Sequence, residues 1–134
     1  MSESRPYIRP GFVLARLVNP VARHLGPVTT LTVTGRTSGR PRTVPLGAPF
    51  EYRGGRYLVS GRGNTHWVRN LRAAGGGRLR THGRTEAIRA VELTGTERDE
   101  VVRAYRAKLG HAVDAYFTEI PDPADHPAFR IEPA

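Results

Sequence analysis

Residues 34–46 read TGRTSGRPRTVPL, with β-branched residues on either side of a Ser38-Gly39 pair. Val and Thr pack well on a pleated surface, and a Thr37-Ser38-Gly39 tip suits a three-residue hairpin loop whose glycine takes left-handed backbone. Counting outward from that tip puts Arg36 opposite Arg40, Thr34 opposite Arg42 and Thr32 opposite Val44. One face would then carry three guanidiniums and two threonine hydroxyls, with Leu31, Val33 and Thr43 on the other. Pro41 and Pro45 fall at pairs without ladder hydrogen bonds, where a missing N–H costs the partner strand nothing. Like charges facing each other repel, so the turn calls either for a bound anion such as phosphate or for full solvation with its side chains splayed.

The flanking segments extend this β pattern. Arg53-Gly54-Gly55 marks a second hairpin leading into 56–60, and His82-Gly83-Arg84 a third, between 78–81 and 85–93. THWVRNLRAAG over 65–75 reads as a short helix with Thr65 as N-cap and Gly75 beyond its end. Thr96 and Asp99 resemble a capping box opening a helix to Leu109, with Val102, Tyr105 and Leu109 as its buried stripe. Apolar residues from Phe12 to Leu25 predict an N-terminal helix over 11–26, preceded by a flexible stretch, 1–10. A last strand is expected at 128–131. Six or so short antiparallel strands with helices at the start, middle and end give a mainly β, α+β chain of one domain, 1–134, shaped as a small barrel or sheet.

The chain has 134 residues, no cysteine and a net charge of +9, with Lys108 the only lysine among 21 basic residues. Without cysteine, thiolate nucleophiles, thiolate zinc sites and Cys-ligated iron–sulfur clusters are excluded, so redox chemistry requires an organic cofactor. The five histidines are scattered and no metal site is expected. The N-terminal apolar stretch, broken by Arg16, Pro20 and Arg23, is too interrupted to span a bilayer. The expected location is the cytoplasm, and Arg16 and Arg23 offer a route to peripheral contact with anionic lipid at the inner membrane surface.

LTVTGRTSGRPRTVPL (31–46) and WVRNL (67–71) together resemble the deazaflavin-dependent nitroreductase family, split β-barrel proteins that bind coenzyme F420. The resemblance covers roughly residues 12–131. It implies that Arg36, Thr37, Ser38, Gly39, Arg40 and Arg42 cradle the coenzyme's phosphate while Thr43, Val44 and Pro45 lie along the deazaflavin ring. It also implies that Gly61, Arg62 and Gly63 present backbone N–H groups to the ring, and that Trp67 and Asn70 close its pocket. Core packing is the competing reading of Trp67. Ser60 and Tyr116 are the catalytic candidates, although the loop after Ser60 is shorter than in many members of the family.

The implied function is hydride transfer from reduced F420 to a small, largely apolar acceptor such as a quinone, nitroaromatic or activated enone. Three alternatives remain at this level: FMN as the cofactor of a related split barrel, sequestration of the coenzyme without turnover, and a non-catalytic nucleic-acid binder. The last lacks any RNP-like or helix-turn-helix pattern, so no nucleic-acid partner is expected. The chain is expected to act as a monomer or homodimer.

Overall fold

The hairpin at residues 34–46 is present in the computed structural model, which describes Pro6 and residues 29–134, but its register differs from expectation by one residue. Strand β1 (Thr29–Thr34) pairs with β2 (Pro41–Leu46) so that Leu31 faces Val44, Thr32 faces Thr43, Val33 faces Arg42 and Thr34 faces Pro41. The tip therefore holds four residues, Arg36 to Gly39, closed by Gly35 N–H donating to the Arg40 carbonyl (2.7 Å). A one-residue slip moves a strand's whole set of side chains to the other face, and burial decides the matter. In this register Val44 and Leu46 join Leu31 and Val33 in the core, whereas the three-residue tip would have turned them outward. Arg40 and Arg42 still share a face, now with Val33 and Val44 rather than with the threonines, whereas Arg36 falls in the tip outside any ladder pair.

The expected helix over 11–26, the stretch 1–10 and the membrane-facing Arg16 and Arg23 lie outside the described residues. The described chain continues with β3 (Phe50–Tyr52), β4 (Gly55–Val59), α1 (His66–Ala74), β5 (Gly76–Thr81), β6 (Arg84–Glu92), α2 (Gly95–Leu109), α3 (Asp114–Glu119) and β7 (Ala128–Pro133). Short 3₁₀ turns at 110–112 and 123–125 flank α3. The strands form a single sheet in the order β2-β1-β5-β6-β7-β4-β3, every neighbouring pair antiparallel. This is the expected α+β split-barrel class, with seven strands in place of six. Both later hairpins turn on two residues with positive φ, Arg53-Gly54 (48° and 81°) and His82-Gly83 (53° and 77°), the backbone that a tight right-twisted hairpin requires.

Two apolar clusters hold the sheet. Leu31 and Val33 of β1, Leu58, Leu79, Ile88, Phe129 and Ile131 line the concave face, and α1 fills it with Trp67, Val68 and Leu71. The outer face at the β3-β4-β7 end is covered by α2 and α3, which pack Val102, Tyr105, Leu109, Tyr116 and Phe117 around Phe50, Tyr57 and Val59. Strand β4 is apolar on both sides because both its faces are covered. The expected stripe of α2 is buried, but its capping box is not formed: the helix begins at Gly95 after Thr94, which leaves Thr96 inside the first turn.

Among the described residues, strand β2 is a sheet edge. Because Gly35 and Arg40 form a bonded pair, residues 41, 43 and 45 point their N–H positions outward, and two of the three are prolines. The free edge thus keeps one outward donor, at Thr43, which blunts strand-to-strand association.

Candidate active site

The hairpin tip is fixed from several sides. Gly39, at φ 72°, donates its N–H to the Gly35 carbonyl (2.9 Å), and Ser38 Oγ accepts from Arg40 N–H (3.1 Å). A Cβ on Gly35 would lie 2.7 Å from Ser38 Oγ and 3.3 Å from Arg42 Cγ, so only glycine lets these two side chains close over the turn. Arg36 leaves the hairpin for α1: its backbone N–H and its Nη1 both donate to Asn70 Oδ1, at 3.1 and 2.7 Å. Arg36 Nη2 and Arg69 Nη2 also approach His66 Nδ1 (3.3 and 3.5 Å), and since guanidiniums only donate, that nitrogen is the acceptor.

Arg56, Arg72, Arg89, Arg98 and Arg130 are each paired with a carboxylate. Among the described residues, Arg40 and Arg42 are exposed and paired with none, as are Arg78, Arg80, Arg84 and Arg103 elsewhere on the surface; the first two alone stand at the tip. Two cations left open on a rigid, glycine-cleared turn suit a phosphate.

The loop from Ser60 leads directly into α1 and so adjoins the tip. Ser60 N–H donates to the Pro127 carbonyl (2.9 Å), and its hydroxyl donates to the Gly63 carbonyl (2.6 Å). That hydroxyl proton is engaged within the loop and the residue is buried, so Ser60 shapes the loop rather than presenting a free donor. Asn64 anchors the next position: its N–H reaches the Pro6 carbonyl (3.0 Å) and its Oδ1 accepts from Arg72, which also grips Glu92 through two bonds of 2.6 and 2.9 Å. Thr65 occupies the N-cap position without making a cap bond, and its buried hydroxyl has no partner.

Gly61 lies under the ring of Tyr116, where a Cβ would come within 2.7 Å of Cδ2. Tyr116 is 5% exposed, and burial pushes its pKa up to about 12, a rise that the nearby Arg62 cation opposes. It is a neutral O–H across the physiological range. Trp67 packs into the concave core against Phe129, with ring centroids 6.3 Å apart, in keeping with the packing reading.

The model of the F420H(2)-dependent quinone reductase family matches residues 15–120. The chain belongs to that family. Accordingly it is an F420H2-dependent oxidoreductase, with coenzyme F420 as its cofactor and a small molecule as its second substrate. Similar solved structures include an F420-H2 dependent reductase, FDR-A, at 26% identity and TM-score 0.60 over 79% of this chain and 94% of that one. Another, described as a domain-swapped dimer, has 27% identity and TM-score 0.52, covering 79% and 80% of the two chains. The haem storage protein HutZ of Vibrio cholerae shares the fold at 15% identity and TM-score 0.58, covering 89% and 91%. A comparison with curated proteins gives no significant match. No helix among the described residues of this F420H2-dependent oxidoreductase is long and apolar enough to cross a membrane.

The structure brings Arg36 of the tip against His66 and Asn70 of α1, the helix that the 60–65 loop enters. It divides the tract expected along the ring: Val44 turns toward the core, whereas Thr43 lies on the outer face, bonded to Thr32 (2.9 Å), with Pro45 on that same face. Asn70, expected to help close the ring pocket, has its carbonyl oxygen held by Arg36. Two features escaped the sequence reading, the Arg72 tie to Asn64 and Glu92 and the buried His126, because each depends on partners remote in the chain.

Proposed function

We propose that this oxidoreductase reduces a small, largely apolar acceptor such as a quinone, nitroaromatic or activated enone, with Arg40 and Arg42 gripping the coenzyme's phosphate and Tyr116 serving as the proton donor. Bound reduced deazaflavin supplies a hydride. Arg36, held by Asn70, adds positive charge at the base of the tip; the Gly63 N–H is taken by the Ser60 carbonyl (3.4 Å), so the Gly61 N–H is the loop donor offered to the ring's oxygens. Tyr116 keeps its proton until the acceptor develops negative charge, then donates it from a site shielded from water by Gly61 and Phe117.

The observation that carries this reading is the pair of unpartnered guanidiniums on the rigid tip, next to a loop that backs a neutral buried tyrosine. Its test is a fluorescence titration with F420 followed by turnover with a panel of acceptors. Arg40→Ala and Arg42→Ala should each weaken coenzyme binding by about 1.5–3 kcal/mol if each makes a charge-assisted bond. Tyr116→Phe should leave that affinity unchanged and lower kcat by about 10²–10⁴-fold. Unaltered affinity in both arginine variants, or full turnover in Tyr116→Phe, would overturn the corresponding assignment.

A further inference from the structure

His126 is completely buried, yet both of its ring nitrogens sit against backbone carbonyls. Nδ1 is 3.0 Å from the Ser60 carbonyl oxygen and Nε2 is 2.6 Å from that of Ile120. Carbonyl oxygens only accept, and a neutral imidazole has a single N–H, so satisfying both contacts takes a proton on each nitrogen. The ring stacks on Phe117, with centroids 4.2 Å apart and planes 25° from parallel, which offers a π face to a cationic ring. A buried charge is costly without a counter-charge as well as hydrogen bonds, and here two carbonyl dipoles and an aromatic face are the compensation that the site offers. Arg106 also lies over the Phe117 ring, its Cζ 4.9 Å from the centroid.

The two carbonyls belong to the two halves of the proposed acid site. Ser60 begins the loop whose Gly61 supports the Tyr116 ring, and Ile120 follows α3, the helix that carries Tyr116 and Phe117. Ile120 N–H in turn donates to the Tyr116 carbonyl (2.8 Å), so the end of α3 is bound to the tyrosine's own backbone. No other described side chain bridges this loop and the end of α3 by hydrogen bonds to both carbonyls.

We propose that His126 is a positioning residue, a doubly protonated imidazole that clamps the Ser60 carbonyl to the Ile120 carbonyl and so sets Tyr116 against the 60–63 loop. Its effect on turnover rests on the reading of Tyr116 given above; its protonation does not.

Two measurements test it. Long-range ¹H–¹⁵N correlation on the ¹⁵N-labelled full chain at neutral pH should show both His126 nitrogens in the protonated range, with ring N–H protons protected from solvent exchange. A non-protonated shift at either nitrogen overturns the clamp, whatever the enzyme's activity. The second is a kinetic cycle using His126→Phe, which keeps an aromatic ring on Phe117, and His126→Gln, which retains a donor. His126→Phe should lower kcat at least tenfold with coenzyme affinity within twofold, His126→Gln should recover part of the loss, and His126→Phe should have no further effect in a Tyr116→Phe background. An equal loss in that background would show that His126 acts on general stability and not through Tyr116. Wild-type protein that fails to turn over with reduced F420 would defeat the functional reading alone, leaving the nitrogen shifts to decide the clamp. A variant that does not fold shifts the decision to the same spectrum of the wild-type protein.

Discussion

Replacing Asn70 tests whether that residue acts on the coenzyme itself or through Arg36. In the structure its Oδ1 accepts two bonds, a neutral one from the Arg36 backbone N–H at 3.1 Å and a charge-assisted one from Nη1 at 2.7 Å. The neutral bond is worth about 1 kcal/mol, and the charge-assisted one about 1.5–3 kcal/mol when well shielded. Arg36 is an exposed residue, so its guanidinium regains water once released and the second bond counts at the low end. Asn70→Leu should therefore destabilise the fold by about 2.5 kcal/mol in urea titrations. It should also weaken F420 binding by about tenfold, the equivalent of 1.4 kcal/mol, because the tip is no longer held to α1 before the coenzyme arrives. The deciding measurement is the double-mutant cycle with Arg36→Ala. If Asn70 works by holding the arginine, Asn70→Leu adds little to the affinity loss already caused by Arg36→Ala, and the coupling is about 1 kcal/mol. Losses that simply add would refute the reasoning and assign the Asn70 amide a contact of its own with the coenzyme.

Gly61→Ala places a methyl group 2.7 Å from Tyr116 Cδ2, so thermal unfolding should show a loss of about 1–3 kcal/mol and kcat should fall as the ring is displaced; an unchanged Tm would mean that the ring moves aside freely. Arg72→Met removes the paired bonds to Glu92 and the bond to Asn64 while keeping an apolar stem, and should cost about 1.5–3 kcal/mol in urea titrations, since both charged side chains are only a quarter exposed. Alkaline stability follows from the tyrosines. Burial raises Tyr116 to about 12 and Tyr105 further, so the folded state keeps protons that the unfolded chain loses near its ordinary tyrosine pKa of 10. Stability is then complete below pH 10 and declines as pH rises toward 12, by about 3 kcal/mol from Tyr116 alone for its rise of about two pK units. Tyrosinate absorbance followed alongside unfolding checks this, and ionisation of every tyrosine near pH 10 in the folded protein would contradict it.

The sequence alone determined whatever depends on near neighbours. The turns at Arg53-Gly54 and His82-Gly83 need positive φ and carry the residues to supply it, Gly75 stops α1 with left-handed backbone, and the apolar spacing of 67, 68 and 71 gives that helix one buried face. The motifs at 31–46 and 67–71 pointed to the coenzyme through their resemblance to a known family. Tertiary structure decided what depends on partners far along the chain. The register of the first hairpin follows from where Val44 and Leu46 find a core, a question the turn cannot answer because three- and four-residue tips are both compatible with its residues. Asn70 meets Arg36 across 34 positions and His126 meets Ser60 across 66, and no periodicity in the sequence encodes either contact. Short-range backbone preferences set where the chain turns; burial and the cost of leaving buried donors and acceptors unpaired set which side chains meet there.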